Sequence, residues 1–246
     1  MRIAVFGDIH GNLPALDAVM PAIARERADA VYCLGDLVGY GASPDEVTRR
    51  IQASGIPTIM GNYDDGVGFD RDECGCAYRD PAEEALGHRS LAWTKAHTSD
   101  ASKAFLRTLH GQIRFHAGTT RVLLVHGSPR KMNEYLFEDR PLSSFQRLAA
   151  SSDADVIVFG HTHKPYVKDV NGVLFVNAGS VGKPKDLDPR ACYVLLDLSG
   201  APSAAFARVE YDVASAAGAI RATDLPHEFA MDIETGGAPR VHSATG

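Results

Sequence analysis

The 246-residue sequence predicts an α/β fold in which two sheets pack together with helices outside, a two-sheet αββα sandwich with a helical insertion. Three observations predict it. Short continuous apolar runs recur at 2–6, 30–34, 57–60, 122–125 and 156–159, as expected of strands buried on both faces. Each run ends in a Gly-rich polar block, where a strand gives way to a loop. Helical patterns fall between the runs, and further strand candidates follow at 173–177, 192–196 and 205–211.

Taken in order, the first helix spans 13–26, with Pro21 expected to kink or break it. Ser43-Pro44-Asp45-Glu46 reads as a capping box with Pro at the first helical position, and Gly55 is placed to stop that helix. Asp80-Pro81 and Ser99-Asp100 open helices at about 82–97 and 101–109, so 66–112 reads as a mostly helical insertion. A helix over 213–221 follows the strand candidates. One domain is expected over 1–234, and 235–246, small, polar and Gly-rich, is expected to fray or to be disordered.

Composition narrows the function classes. Apolar residues make up 45%, enough for one well-formed core. A net charge of −6 argues against broad nucleic-acid binding, which needs Lys and Arg facing phosphates. It leaves a phosphate substrate open, because bound dications invert the local field. The first apolar run ends at Asp8, too short for a secretory signal, and no apolar stretch is long enough to span a membrane. The four cysteines, Cys33, Cys74, Cys76 and Cys192, form no zinc-type pair of CxxC motifs, and Cys74 and Cys76 are too close for an ordinary disulfide. A cytoplasmic, reducing location is expected.

Seven residues of metal-ligand type occupy the five blocks: Asp8 and His10 in GDIHGN, Asp36 in GDLVGYG, Asn62 in GNYDD, His126 in VHGSP, and His161 and His163 in GHTH. Carboxylate, amide oxygen and imidazole suit divalent metals. In an extended segment, side chains two apart share a face, so Asp8 and His10 can address one metal, as can His161 and His163. Gly7, Gly11, Gly35, Gly61, Gly127 and Gly160 flank the ligands and permit sharp turns after each strand. Asp36 is the natural bridge, since a carboxylate offers one oxygen to each of two metals. Singly each block is a turn or a stray DxH. All five in order point to a paired-metal hydrolase.

These blocks, with NAGSVG at 177–182, resemble the signature of calcineurin-like metallophosphoesterases, and most closely the small bacterial and archaeal phosphodiesterase branch. The resemblance covers about residues 3–200. It implies a two-sheet sandwich, Asp8, His10 and His163 on a first metal, Asn62, His126 and His161 on a second, and Asp36 between them. Mn is the first expectation for the metal, with Fe, Zn, Ni or Co as alternatives. The implied reaction is in-line attack on phosphorus by a hydroxide bridging the metals. The substrate is then a phosphodiester or a small phosphomonoester, with nucleotides among the candidates.

One departure concerns the proton donor. The family block reads GNH, and Tyr63 stands in place of that His. A phenol, with a pKa of about 10, is a poor acid at neutral pH, so esters with good leaving groups are favoured. Tyr63 either donates a hydrogen bond to the substrate or packs beside the site. Asp64 and Asp65 either orient it or are solvated turn acids. Asn12 is either a hydrogen-bonding support or a helix cap, and Asn177 and Ser180 either orient ligand loops or make plain turns. Arg130 and Lys131 either meet a substrate phosphate or are solvated. Cys74-Gly75-Cys76 reads as a tight turn. The alternatives to an enzyme of this kind are a non-catalytic metal-binding scaffold, as in the retromer subunit resembling this family, and a protein Ser/Thr phosphatase, for which the chain is short. The apolar residues Leu86, Leu91, Trp93, Phe105 and Leu106 cover either the core or a second copy of the chain.

Overall fold

The computed structural model of the chain describes residues 1–78 and 80–239. In chain order the elements are β1 (Arg2–Phe6), α1 (Leu13–Arg25), β2 (Ala30–Cys33), α2 (Pro44–Ser54), α3 (Asn62–Gly68), α4 (Pro81–Ala96) and α5 (Asp100–Leu106). Then come β3 (Gln112–Ala117), β4 (Thr120–Val125), α6 (Leu142–Ser151), β5 (Val156–Phe159), β6 (Tyr166–Val170) and β7 (Val173–Asn177). The last elements are β8 (Ala191–Asp197), β9 (Ser203–Val209), α7 (Val213–Arg221) and α8 (Glu228–Thr235).

Two mixed sheets result. One has the order β2-β1-β8-β9 and the other β3-β4-β5-β7-β6. In the first, β1 runs parallel to β2 and antiparallel to β8. In the second, β5 is parallel to both β4 and β7, while β3 and β6 close the edges antiparallel.

The two-residue period of the strands sorts side chains into layers. Ile3, Val5, Val194 and Leu196 meet Val122, Leu124, Val156, Val158 and Val176 between the sheets. Ala4 and Phe6 point the other way, onto Leu16, Val19 and Ile23 of α1 and Val47 and Ile51 of α2. On the far side, Leu123, Ile157, Phe159 and Phe175 bury against Phe145 and Leu148 of α6. Each such side chain contributes about 1.5–3 kcal/mol of burial. Helices therefore cover both outer faces, and inner strands such as β1 and β5 need two apolar sides, which is why their runs are continuous, whereas the edge strands β3, β6 and β9 leave residues exposed.

Several local expectations are revised. α1 passes through Pro21 without a break. Pro21 lies on the exposed face, where water can satisfy the Asp17 carbonyl that loses its partner. Ser43 is the N-cap of α2 but its side chain makes no capping bond, so the box is not formed. Asp45 accepts instead from the Ser99 backbone and hydroxyl. Residues 57–60 form only isolated bridges, Cys33 to Thr58 and Ile59 to His110. The apolar residues of the insertion turn inward: Leu91 and Leu106 join the core, Phe105 packs on it, and Leu86 and Trp93 pack against α7 and α8. From Thr235 on, Gly236 accepts from the Leu187 amide and the Gly237 amide donates to Asp232. Residues 240–246 of the expected tail lie outside the described residues. Among the described residues, no helix is long and apolar enough to cross a membrane.

Candidate metal centre

The donors converge at the strand ends, where the β1 and β2 loops meet the loops after β4 and β5. Asp8, His10, Asp36, His161 and His163 all have positive φ, between 50° and 65°. Asp8 and His10 therefore converge through left-handed positions just past β1, not through an extended segment as the spacing suggests. Each such backbone costs about 1–3 kcal/mol and persists where the surroundings over-determine it. Hydrogen bonds do that here: the amides of Asp8, Ile9 and His10 donate to the carbonyls of Gly35 and Asp36, locking the two loops together.

Two buried groups form, Asp8 with His10 and His163, and Asp36 with His126 and His161, each with donor atoms within 4.8 Å of one another, so His161 and His163 part to different groups instead of sharing one as their spacing suggests. Asn62 joins the second through its Oδ1, 3.1 Å from His126 Nε2. It stands on the first turn of α3, a helix where the sequence suggested a turn. Asp36 lies between the groups, but through one oxygen rather than one to each group as expected: Oδ2 is 3.6 Å from His10 Nε2 and 3.3 Å from His126 Nε2, because Oδ1 is taken by the Tyr63 amide.

Both carboxylates are held by one oxygen and offered by the other. Asp8 Oδ2 accepts the His161 amide at 3.0 Å, while Oδ1 faces His163 Nε2 at 3.3 Å. Asp36 Oδ1 accepts the Tyr63 amide at 2.8 Å. The imidazoles follow the same rule. Nδ1 of His10, His126 and His163 each meets a backbone carbonyl, of Val38, Leu34 and Lys183. A carbonyl only accepts, so Nδ1 carries the proton and Nε2 presents a lone pair. His10 Nε2 and His163 Nε2 then face each other at 3.1 Å, lone pair to lone pair. His161 Nε2 and Asp8 Oδ1 are buried without hydrogen-bond partners. Such a set of acceptors repels itself and is satisfied by cations, so the residues fit divalent metal ions.

Electrostatics agree. Burial pushes His10 down to about 3, against the pull of Asp36. Burial likewise holds His161 and His163 well below the usual imidazole range, leaving them neutral, as ligands must be. Burial would also lower His126, but the adjoining Asp36 carboxylate outweighs it and raises the group to about 10. A cation competes with that proton for the same lone pair. Burial raises the Asp8 carboxyl.

The surrounding residues position this set. Asp64 is buried and accepts the amides of Leu37 and Gly61, tying α3 to the Asp36 loop, whereas Asp65 pairs with Arg71 at the surface. Asn12 caps α1 through the Ala15 amide and donates to the Gly182 carbonyl and the Tyr211 hydroxyl. Asn177 donates to the Gly160 carbonyl and Thr162 hydroxyl, bracing the GHTH turn, and the Ser180 hydroxyl donates to the Asp8 carbonyl. Arg130 is paired with Glu134, and Lys131 is exposed.

Tyr63 is placed differently from a substrate-facing donor. Its ring is buried between Gly39 and Tyr40, and its hydroxyl lies 3.5 Å from the Ser90 hydroxyl on α4. The backbone amide of Tyr63 bonds Asp36 and its ring packs edge-on against the His10 ring, centroids 5.7 Å apart, while the hydroxyl points away from the centre to Ser90.

Several neighbours of the centre carry no signal in the sequence. Tyr135 lies against His161, ring centroids 4.0 Å apart, and Phe137, a residue 39% exposed, stacks on Tyr135 at 5.7 Å. They sit in an irregular loop with no periodicity to mark them. Buried Lys183 bonds Asp232 of α8 at 2.7 Å and lies over the Tyr40 ring, fastening the C-terminal helix to the loop that receives His163 Nδ1.

Gly61 is a sensitive point. A methyl group there would lie 2.1 Å from Asp36 Oδ1 and 2.3 Å from the Asp36 amide nitrogen, and backbone cannot yield. Gly61→Ala is expected to lower stability by about 1–3 kcal/mol and metal affinity by about 10- to 100-fold. Urea unfolding and calorimetric metal titration check this; wild-type values in both would show that Asp36 is not held by this approach.

Comparison with known proteins agrees with this geometry. A family model described as the calcineurin-like phosphoesterase superfamily domain matches residues 1–201. An uncharacterized protein of Methanocaldococcus jannaschii is 32% identical over 247 residues, covering 91% of this chain and 93% of that protein. The phosphodiesterase YfcE of Escherichia coli is 26% identical over 207 residues, covering 80% of this chain and 88% of its own. A metallophosphoesterase crystal structure from Sphaerobacter thermophilus superposes with a TM-score of 0.75 at 28% identity, covering 96% of this chain and 99% of that one. A hypothetical protein from Pyrococcus horikoshii shares the fold, with a TM-score of 0.84 at 22% identity over 97% of this chain and 99% of that one. By the span of the family match and the identity to the archaeal relative, the chain belongs to the calcineurin-like phosphoesterase superfamily.

Proposed function

We propose that this phosphoesterase is a two-metal enzyme that hydrolyses phosphodiesters, or small phosphomonoesters, with good leaving groups. The observation that carries the reading is Asp36, whose single oxygen Oδ2 lies within 3.6 Å of a donor in each of the two buried groups. Asp8, His10 and His163 would hold one ion, and Asn62, His126 and His161 the other. Mn is the first choice. When bound, two such ions polarise the phosphate and acidify a water for in-line attack.

The residues of the chain do the rest. The Nδ1–H bonds to Val38, Leu34 and Lys183 aim three Nε2 lone pairs inward and keep them there. The amides of Tyr63 and His161 hold the Asp36 and Asp8 carboxylates in place, so little reorganisation is left for the reacting state. The Tyr63 phenol, turned to Ser90, leaves the departing oxygen without that acid, which favours leaving groups that depart as anions. Tyr135 and Phe137 form an aromatic shelf from His161 toward solvent and support a planar group on the substrate, such as a nucleobase. The relative named as a phosphodiesterase supports the diester.

The test is metal analysis of the purified protein together with hydrolysis of bis-p-nitrophenyl and mono-p-nitrophenyl phosphate under added Mn. About two metals per chain with diester turnover are expected. In the same assay Phe137→Ala should raise KM for aryl or nucleotide diesters several-fold, in line with about 1 kcal/mol of stacking, and leave an alkyl diester unchanged. Bound metal without turnover of any phosphate ester would instead favour the scaffold reading.

A further inference from the structure

Cys74-Gly75-Cys76 forms a turn, with Gly75 at φ +65°, and that turn abuts the metal centre. The side-chain nitrogen of Asn62 donates to the Cys74 carbonyl at 3.1 Å and lies 3.3 Å from Cys76 Sγ. The two sulfurs are 2.8 Å apart, and both are free thiols. Cys74 is buried and Cys76 is partly exposed. The turn is pinned from both sides: Asn133 donates to the Gly75 carbonyl at 2.8 Å, and the Ala77 amide reaches the Tyr135 hydroxyl. Cys33 and Cys192, on β2 and β8, are buried in the sheets.

A disulfide needs its sulfurs at about 2.05 Å. The observed separation is less than 1 Å longer, and the left-handed glycine already keeps both side chains on one side of the turn. One residue between the cysteines closes a ring too small for an ordinary structural disulfide. Strained bonds of that kind are the readily reduced, reversible ones.

We propose that Cys74 and Cys76 form a reversible disulfide that withdraws Cys76 from Asn62 and so controls the metal centre. Oxidation needs a co-reactant, and a low-molecular-weight disulfide such as glutathione disulfide supplies it. Cys76, the more exposed of the two, loses its thiol proton and attacks one sulfur of that molecule, forming a mixed disulfide and releasing one thiolate. Cys74 then attacks Cys76 Sγ, displacing the second thiolate. Two protein thiols are oxidised to one disulfide, the small disulfide is reduced to two thiols, and the two protons lost by the cysteines end on them. In the cross-linked state Asn62 loses its contact with the Cys76 sulfur, and the Cys74 carbonyl that holds the same amide must shift with the turn. Asn62 is then no longer fixed for His126 and the second ion. Cys76 is thus a positioning residue. The cross-link depends only on the sulfur geometry; its effect on turnover rests on the phosphoesterase reading above.

The experiment equilibrates the full-length, Mn-loaded protein in glutathione buffers from fully reduced to fully oxidised. Each sample is quenched with acid, alkylated and mapped by peptide mass spectrometry, and its diester turnover is measured in parallel. On oxidation the peptide carrying residues 74–76 should lose both alkylation sites and two hydrogens, with no glutathione retained. Cys33 and Cys192 should stay reduced, and dithiothreitol should reverse the change. Turnover should fall by about tenfold, the scale of losing a partner of a metal ligand. In Cys74→Ser and Cys76→Ser the rate should no longer respond to the buffer. A stable glutathione adduct on Cys76, or two thiols still open to alkylation in the oxidised buffer, would overturn the cross-link. A cross-link that forms while wild-type turnover stays constant would overturn the control. A cross-link in a protein that hydrolyses nothing in either state would leave the disulfide standing and count against the phosphoesterase reading instead.

Discussion

His126→Ala and Asn62→Ala are each expected to lower diester turnover by more than about 100-fold, because partners one bond removed from a metal already cost about 10- to 100-fold when changed. His126 is the stronger case. Its Nε2 lies 3.3 Å from Asp36 Oδ2 and 3.1 Å from Asn62 Oδ1, so its loss removes one donor and loosens two others. The same change frees the Leu34 carbonyl that His126 Nδ1 satisfies, a buried acceptor whose loss of partner costs about 1–3 kcal/mol. Asn62→Ala leaves α3 intact, since the N-terminal amides of that helix are held by Asp64 and Asp36 rather than by Asn62. Folding of both variants is checked by circular dichroism and thermal unfolding before rates are compared. A folded His126→Ala with wild-type turnover would place the chemistry elsewhere.

Metal removal should show in stability as strongly as in rate. His10 Nε2 and His163 Nε2 oppose each other at 3.1 Å, and Asp8 Oδ1 adds a negative oxygen 3.3 Å from His163. Divalent ions convert that repulsion into coordination in the folded state only, since the unfolded chain does not assemble donors 153 residues apart. An ion present at about 100 times its Kd adds about 2.7 kcal/mol, and a chain of this size gains roughly 2–4 °C in Tm per kcal/mol. With two such ions the chelated protein is therefore expected to melt roughly 10–20 °C below the Mn-loaded one. Scanning calorimetry with chelator and with Mn, Fe, Zn, Ni or Co in turn measures this, and the ranking of shifts names the preferred metal. Equal melting under every condition would count against these donors as a metal centre.

The strands that carry donors were legible because each is buried on both sides and so leaves a continuous apolar run, as in Arg2–Phe6 and Val156–Phe159. Asn62 was legible as a donor but not as part of a helix, because α3 begins Asn-Tyr-Asp-Asp-Gly, a composition that reads as a turn. Pro21 misled in the other direction, since nothing local says that it faces water. The Cys74–Cys76 turn was legible as a turn, but not its contact with Asn62, which is set by how the insertion folds back.

The sequence by itself determined the kinds and order of the donors, the apolar runs that end at them, and the departure at Tyr63. Those are chemical properties of residues and of short periods along the chain. Only the tertiary structure decided that Asp36 stands between two groups, that the Tyr63 amide rather than its phenol meets Asp36, and that Tyr135 and Cys76 border the centre. The reason is physical. Orientation at a strand end depends on which carbonyls and amides of distant loops are within reach, and those distances exist only once both sheets have packed.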